Sequence, residues 1–152
     1  MAPYVAVVGP GEASDAEQEA AEAVGRMLGG AGAIVVTGGL GGVMAAACRG
    51  AAAAGGLTVG LLPGTDRRAA NQWVTVAVAT GMGELRNGLV VRAADAVIAV
   101  GGAFGTLAEV ALALKAGTVV VGLGTWGIDG VREADDPAEA VAQALAAAGR
   151  HP

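Results

Sequence analysis

The sequence is short of the residue types from which many catalytic and metal centres are built. It has one cysteine, one histidine and one lysine. Cys48 lies in an alanine-rich helical pattern and the histidine, His151, lies in the terminal tail, so we expect a buried, inert thiol without a partner base. The aspartates show no spacing typical of metal ligands. The sequence therefore predicts neither a metal site nor a resident cofactor.

Clustered positive charge and long apolar runs are also missing. The formal net charge is −5 and the arginines are scattered, which argues against a surface for duplex DNA or RNA. Although 54 % of the residues are hydrophobic, Gly, Pro or a charge interrupts every run that could span a membrane. The start, MAPYVAVVG, has no basic segment before its apolar run and is not typical of a signal peptide. We expect a cytoplasmic protein that does not bind membranes.

What the sequence does contain is a regular alternation of β-branched runs and alanine-rich segments. The runs predict strands over residues 4–8, 34–37, 57–62, 74–80, 96–100 and 119–122, and the segments predict helices over residues 15–28, 42–54, 84–94, 104–115 and 137–148. The strands are almost continuously apolar, as in a parallel sheet that helices cover on both faces. Residues 1–152 are therefore predicted to form one domain, a single doubly wound parallel sheet in a Rossmann-like three-layer α/β sandwich.

Four of the strand-to-helix turns are rich in glycine, at residues 9–14, 37–42, 80–87 and 101–106. In an open parallel sheet, ligands bind beyond the carboxyl ends of the strands, where the strand order reverses. If the order is the common 3-2-1-4-5-6, the four turns surround one crevice between the first and fourth strands. Such turns let backbone N–H groups approach an anion, so phosphate is the ligand that we expect there. The glycines can also serve the turns alone.

The common nucleotide fingerprints do not occur. No G-x-x-x-x-G-K-[ST] is present, the first turn reads GPGEAS where a dinucleotide fold has G-x-G-x-x-G, and no acidic residue ends the second strand. The pattern therefore argues against ATP hydrolysis and hydride transfer.

Two polar side chains lie close to the glycine turns, and each has two interpretations. Glu109 follows Thr106 at the T-x-x-E spacing of a capping box, so it can satisfy a helix terminus or face a bound sugar phosphate. Arg86 can pair with Glu84 or Glu12 on the surface, or it can bind the ligand at the assumed switch point.

With these residues the chain resembles the Lonely Guy and lysine-decarboxylase-like superfamily of Rossmann-type proteins over nearly its whole length. Residues 101–109, GGAFGTLAE, are similar to the family's P-G-G-x-G-T-x-x-E motif, and Arg86 matches the arginine of its M-x-x-R-K segment. Residues 37–44, TGGLGGVM, are similar to its earlier G-G-G-x-x-G-L-M segment.

In the best-characterised branch, this resemblance implies hydrolysis of the N-glycosidic bond of a nucleoside 5′-monophosphate to free base and ribose 5-phosphate. Arg86 and Glu109 would form the catalytic pair, with Glu109 stabilising the oxocarbenium-like ribose or orienting water. The phosphate or nucleotide would be held by Gly9, Gly39, Gly41, Asn87, Gly101, Gly102, Gly105 and Thr106.

Two departures favour a sister branch of this superfamily. Val100 stands where the phosphoribohydrolases have proline, and Asn87 stands where they have lysine. Some relatives there resemble carriers of molybdenum cofactor, a phosphorylated pterin, and others resemble the nucleotide-fold core of DNA-processing proteins. The alternative function is a non-catalytic binder or carrier of a phosphorylated small molecule. A third alternative is an oligomer without a ligand.

Two helical segments, around LVVRAADAVIAV and LAEVALALKAG, are apolar on more than one face. One sheet face can cover only part of such a surface. We therefore expect a homodimer or a higher homo-oligomer, and the resemblance also implies dimers with sites near the interface.

Overall fold

A computed structural model describes residues 1–149, so the terminal tail with His151 lies outside the described residues. Within them, seven strands form one sheet in which every pairing is parallel. The strands are β1 (Tyr4–Val8), β2 (Ile34–Thr37), β3 (Thr58–Leu62), β4 (Val76–Ala79), β5 (Ala96–Val100), β6 (Val119–Leu123) and β7 (Arg132–Glu133). The α-helices are α1 (Asp15–Gly30), α2 (Val43–Ala53), α3 (Arg86–Arg92), α4 (Phe104–Lys115) and α5 (Pro137–Ala148). The predicted doubly wound parallel α/β fold is confirmed.

The order of the strands, β4-β3-β2-β1-β5-β6-β7, corrects the assumed one. The fourth strand does not lie beside the first: β4 pairs with β3 and forms an edge, while β5 takes the place beside β1. The segment between β3 and β4 contains only one short 3-10 turn, Arg67–Ala69, and no crossover helix. Consecutive strands usually lie side by side, and β4 takes the free position beside β3. The order therefore reverses between β1 and β5.

Successive strand residues point to opposite faces of the sheet, and each face has its own apolar cluster. On one face, Val5, Val7 and Ile98 pack against residues of α1, α2 and α5. On the other face, Val8 and Val97 pack against residues of α3 and α4. Helices thus cover both faces, which gives the three layers expected from the continuously apolar strands.

The starts of the helices differ in how their N–H groups are satisfied. Ser14 caps α1 in a capping box with Glu17, and Asp136 caps α5 just before Pro137. Helix α4 begins after Ala103 without any side-chain cap. The first N–H groups of α4 are therefore left open at the carboxyl end of the sheet. None of the helices in residues 1–149 combines the length and the apolarity that crossing a membrane requires.

Candidate functional site

A cavity of about 190 Å³ lies at the carboxyl ends of β1 and β5, where the strand order reverses. This is the position at which open parallel sheets bind their ligands. The two strands are adjacent, so the turns that follow them face each other across the crevice. The walls consist of Val7, Val8, Gly9, Pro10, Gly11, Gly38, Met44, Arg86, Asn87, Ala103, Gly105, Thr106 and Glu109.

The structure brings together only part of the residue set that the sequence suggested. Gly9, Arg86, Asn87, Gly105, Thr106 and Glu109 line the cavity. Gly39, Gly41, Gly101 and Gly102 do not line it. Gly39 packs against β3 near Leu62, and Gly102 lies under the ring of Trp126.

Several cavity residues were not predicted from the sequence. Pro10, Gly11 and Gly38 belong to glycine turns that the sequence analysis had singled out, so their neighbourhood was the available signal. Met44 extends from α2 and ends the TGGLGGVM segment, which the sequence analysis had matched to the family without giving Met44 a role. The predicted turn at residues 80–87 borders the crevice only through its last two residues, Arg86 and Asn87, which belong to α3.

Two glycines allow the backbone to come close enough to form this cavity. A Cβ on Gly9 would lie 2.5 Å from the carbonyl oxygen of Val100 and 2.7 Å from a methyl carbon of Val43. A Cβ on Gly38 would lie 2.7 Å from Nη2 of Arg86. Glycine is therefore required at Gly9 for the turn after β1 to reach β5. A side chain at Gly38 would instead displace the ends of the flexible Arg86 and Met44 side chains.

Thr106 lies in the first turn of α4 and faces the cavity. The helix starts at Phe104, so Thr106 is inside the helix and does not cap it, and the capping-box interpretation of Thr106 and Glu109 is wrong. The Thr106 side chain is only 2 % exposed, and its Oγ1 has no hydrogen-bond partner among the described residues. A buried hydroxyl without a partner costs free energy unless a ligand supplies one.

Arg86 is buried at the start of α3, with only 9 % of the residue exposed. Its Nη1 donates to Oδ1 of Asn87 and its Nη2 donates to the carbonyl oxygen of Gly38 at 3.4 Å, while Nε has no partner within the described residues. The interpretation of Arg86 as a surface arginine paired with Glu84 or Glu12 is therefore wrong. Burial lowers the pKa of Arg86 and the negative charge of Glu109 raises it, but a guanidinium stays protonated at neutral pH.

Glu109 projects from α4 into the same cavity and is 7 % exposed. Burial raises the pKa of Glu109 to about 7, because removal from water disfavours the carboxylate, and the nearby Arg86 only partly offsets this. This carboxyl group therefore favours its protonated form much more than it would in water. It can accept or give up a proton, as a general acid or base must.

The arrangement is suited to a small anionic group. Hydrogen-bond donors predominate at the cavity: the guanidinium of Arg86, the hydroxyl of Thr106 and the uncapped N–H groups of α4. Its volume of about 190 Å³ is below the roughly 300–1,000 Å³ of pockets that enclose a whole ligand. A neighbouring groove of about 470 Å³ shares Asn87 and Gly105 with it and carries the apolar side chains of Leu85, Phe104 and Leu112.

Comparison with known proteins gives close and distant relatives of this fold. The molybdenum cofactor binding protein from Rippkaea orientalis superposes with a TM-score of 0.92 at 34 % identity, covering 96 % of this chain and 97 % of that one. The Moco carrier protein from Chlamydomonas reinhardtii gives a TM-score of 0.91 at 35 % identity, covering 99 % and 100 %. DNA processing protein A from Streptococcus pneumoniae, at 19 % identity, covers 93 % of this chain and 62 % of its own length with a TM-score of 0.75, which shows the shared fold alone.

The model of the SLOG cluster 4 family matches residues 2–149, nearly the whole chain. The glycine turns and Arg86 had already indicated the Lonely Guy and lysine-decarboxylase-like superfamily, and that resemblance is confirmed. The crevice between β1 and β5 thus lies in a fold that the chain shares with molybdenum-cofactor-binding relatives. The chain belongs to the SLOG cluster 4 family.

Proposed function

We propose that this protein binds a phosphorylated small molecule, with the phosphate at the start of α4 between Arg86 and Thr106. The observation that carries the proposal is the pair of buried donors without partners, Thr106 Oγ1 and Arg86 Nε, on residues that line one cavity. Unsatisfied buried polar atoms are rare in folded proteins, and an anion would satisfy both.

A carrier of a molybdopterin-type cofactor is the form of this function that we favour. Two relatives that match over nearly their full length are described as a molybdenum cofactor binding protein and a Moco carrier protein. The cavity has room for a phosphate group but not for a pterin ring system, so the ring would extend into the neighbouring groove beside Leu85 and Phe104. In a carrier, the ligand leaves unchanged.

Hydrolysis of a nucleoside 5′-monophosphate is the second candidate, and one observation favours it. Glu109 is a buried carboxyl group with a pKa of about 7, in a cavity that Arg86 also lines. Such a group can orient water or stabilise an oxocarbenium-like ribose while the N-glycosidic bond breaks. The products would be free base and ribose 5-phosphate.

Calorimetric titration of the protein with inorganic phosphate, ribose 5-phosphate, AMP and a phosphorylated pterin tests the binding proposal. We expect binding of the phosphorylated compounds and its loss in the Arg86→Gln variant. Absence of heat and of any thermal shift with all four, in a folded sample, would overturn the proposal.

An assay of free base released from a panel of nucleoside monophosphates separates the two candidates. Release that disappears in Glu109→Gln would make the protein a phosphoribohydrolase. Binding without release would leave the carrier function.

We also propose that the protein is a homodimer or a higher homo-oligomer that associates through the outer side of α3 and α4, so that the groove proposed for the ring would lie at the interface between copies. Phe104 is 91 % exposed and Leu85 is 75 % exposed, and Leu107 and Leu112 are also exposed. Leu85, Phe104 and Leu112 line one groove, and a cluster of exposed apolar side chains commonly marks an interaction site. The cytoplasmic location stays a prediction.

A further inference from the structure

Arg86 and Glu109 carry opposite charges in the same cavity, yet they form no ion pair within residues 1–149. Among residues 1–149 they are the only charged side chains that line this cavity, since β1, the turns after β1 and β2, and α2 contribute only neutral residues to it. Both are buried, and a buried charge without a partner is costly. The guanidinium is instead held by two other groups at the cavity.

The contacts of the guanidinium identify that restraint. Oδ1 of Asn87 accepts from Nη1 of Arg86, and the carbonyl oxygen of Gly38 accepts from Nη2. The Gly38 contact is long, at 3.4 Å, and is therefore a weak hydrogen bond, which leaves Asn87 as the side-chain acceptor of the guanidinium. With Oδ1 occupied, the amide nitrogen of Asn87 lies on the side of Gly105, at the start of α4.

We propose that Asn87 is a positioning residue that holds the guanidinium of Arg86 away from Glu109, so that both groups remain free for the ligand. Without the Asn87 acceptor, the guanidinium turns toward Glu109 and the resulting ion pair fills the cavity. The inference rests on the proposed function only where it assigns the two free groups to a ligand.

The titration of Glu109 in the protein without ligand tests this role. Carbon-13 NMR of the glutamate carboxyl groups follows it, with Glu109→Gln identifying the resonance. In the original chain we expect a pKa of about 7. In Asn87→Ala the pKa of Glu109 should fall by about 1–3, as for a carboxyl group that gains an arginine partner. In Asn87→Asp, which keeps an acceptor and adds a negative charge, it should not fall.

Asn71→Ala is the matched control. Asn71 also holds a loop of this region, because its side chain donates to the carbonyl oxygens of Gly39 and Leu40, but it does not touch Arg86. It should lower stability and leave the titration of Glu109 unchanged.

Two results would overturn the inference. One is an unchanged Glu109 titration in folded Asn87→Ala, and the other is a lowered pKa in Asn87→Asp. If Asn87→Ala does not fold, Asn87→Leu, which has a similar volume and no acceptor, takes its place, and an unchanged Glu109 titration in that variant would overturn the role. No ligand is present in these measurements, so a failure here would leave the proposed binding of phosphate standing.

Discussion

At the scale of single residues, Glu109 should make the stability of the protein depend on pH. Its pKa is about 7 in the folded chain against an ordinary value of 4.5, so the folded state holds the proton more tightly than the unfolded state does. The stabilisation is complete below pH 4.5 and is lost as the pH rises through about 7. Between about pH 5 and pH 8, we expect the chain to lose up to about 3 kcal/mol of unfolding free energy that Glu109→Gln does not lose. Urea unfolding at several pH values measures this, and parallel pH curves would contradict it.

Thr106 and Thr125 form a matched pair for testing the phosphate position. Both have a buried Oγ1 without a partner among the described residues, but Thr106 lines the cavity whereas Thr125 lies beside Trp126. Replacing either by valine breaks no hydrogen bond, so neither variant should lose stability. Only Thr106→Val should weaken the binding of inorganic phosphate, by about tenfold. Calorimetry gives both affinities, and an equal loss in the two variants would place the phosphate elsewhere.

The sequence indicated the neighbourhood of the site better than the roles of its residues. The T-x-x-E spacing of Thr106 and Glu109 is the same in a capping box and inside a helix. Only the start of α4 decides between the two, and neither Ala103 nor Phe104 is a residue type that marks a helix start. The chain also has two residues between Gly102 and Gly105 where the family motif has one. The Gly-Thr end of the motif lines the cavity, and Gly102 does not.

At the scale of elements, local patterns predicted which segments form strands and helices but not how the strands are ordered. The predicted strand at 74–80 is β4 (Val76–Ala79), and its apolar sequence resembles that of a central strand. A strand covered by helices on both faces would bury Val76, yet Val76 is exposed at the sheet edge. Edge and centre differ in what packs against the strand, which a short run of valine and alanine does not encode.

Helices α1 and α2 pack so closely that a single methyl group at their contact should matter. A Cβ on Gly25 would overlap the carbonyl oxygen of Ala47, whereas a Cβ on Gly30, in the same helix, would meet nothing within 4 Å. We expect Gly25→Ala to lower the free energy of unfolding by about 3 kcal/mol. Gly30→Ala should raise it by about 0.5–1 kcal/mol, because alanine favours the helix. Thermal and urea unfolding of the two variants compare them, and similar stabilities would mean that the helices can move apart.

At the scale of the whole molecule, the apolar surface of α3 and α4 predicts how copies associate. A charge at Phe104 should disrupt the proposed interface, so Phe104→Glu is expected to give a monomer. Val78 is an exposed apolar residue on the edge strand β4, and Val78→Glu is the control that should keep the oligomer. Light scattering coupled to size exclusion measures the masses. The proposed interface would be contradicted if the unmutated protein is a monomer, or if Val78→Glu dissociates the oligomer and Phe104→Glu does not.

β1 and β5 pair in the middle of the sheet and connect the part of the chain that contains β1 to β4 with the part that contains β5 to β7. The backbone N–H of Tyr4 donates to the carboxylate of Asp95 across 91 positions of sequence. While the chain is being synthesised, β1 to β4 can associate before β5 exists, and contacts between such distant segments form slowly. The crevice lies at the carboxyl ends of β1 and β5, so it forms only after β5 and α4 have been synthesised. A ligand that contacts Gly9 in the first part and Thr106 in the second would stabilise the association of the two parts in a newly synthesised chain.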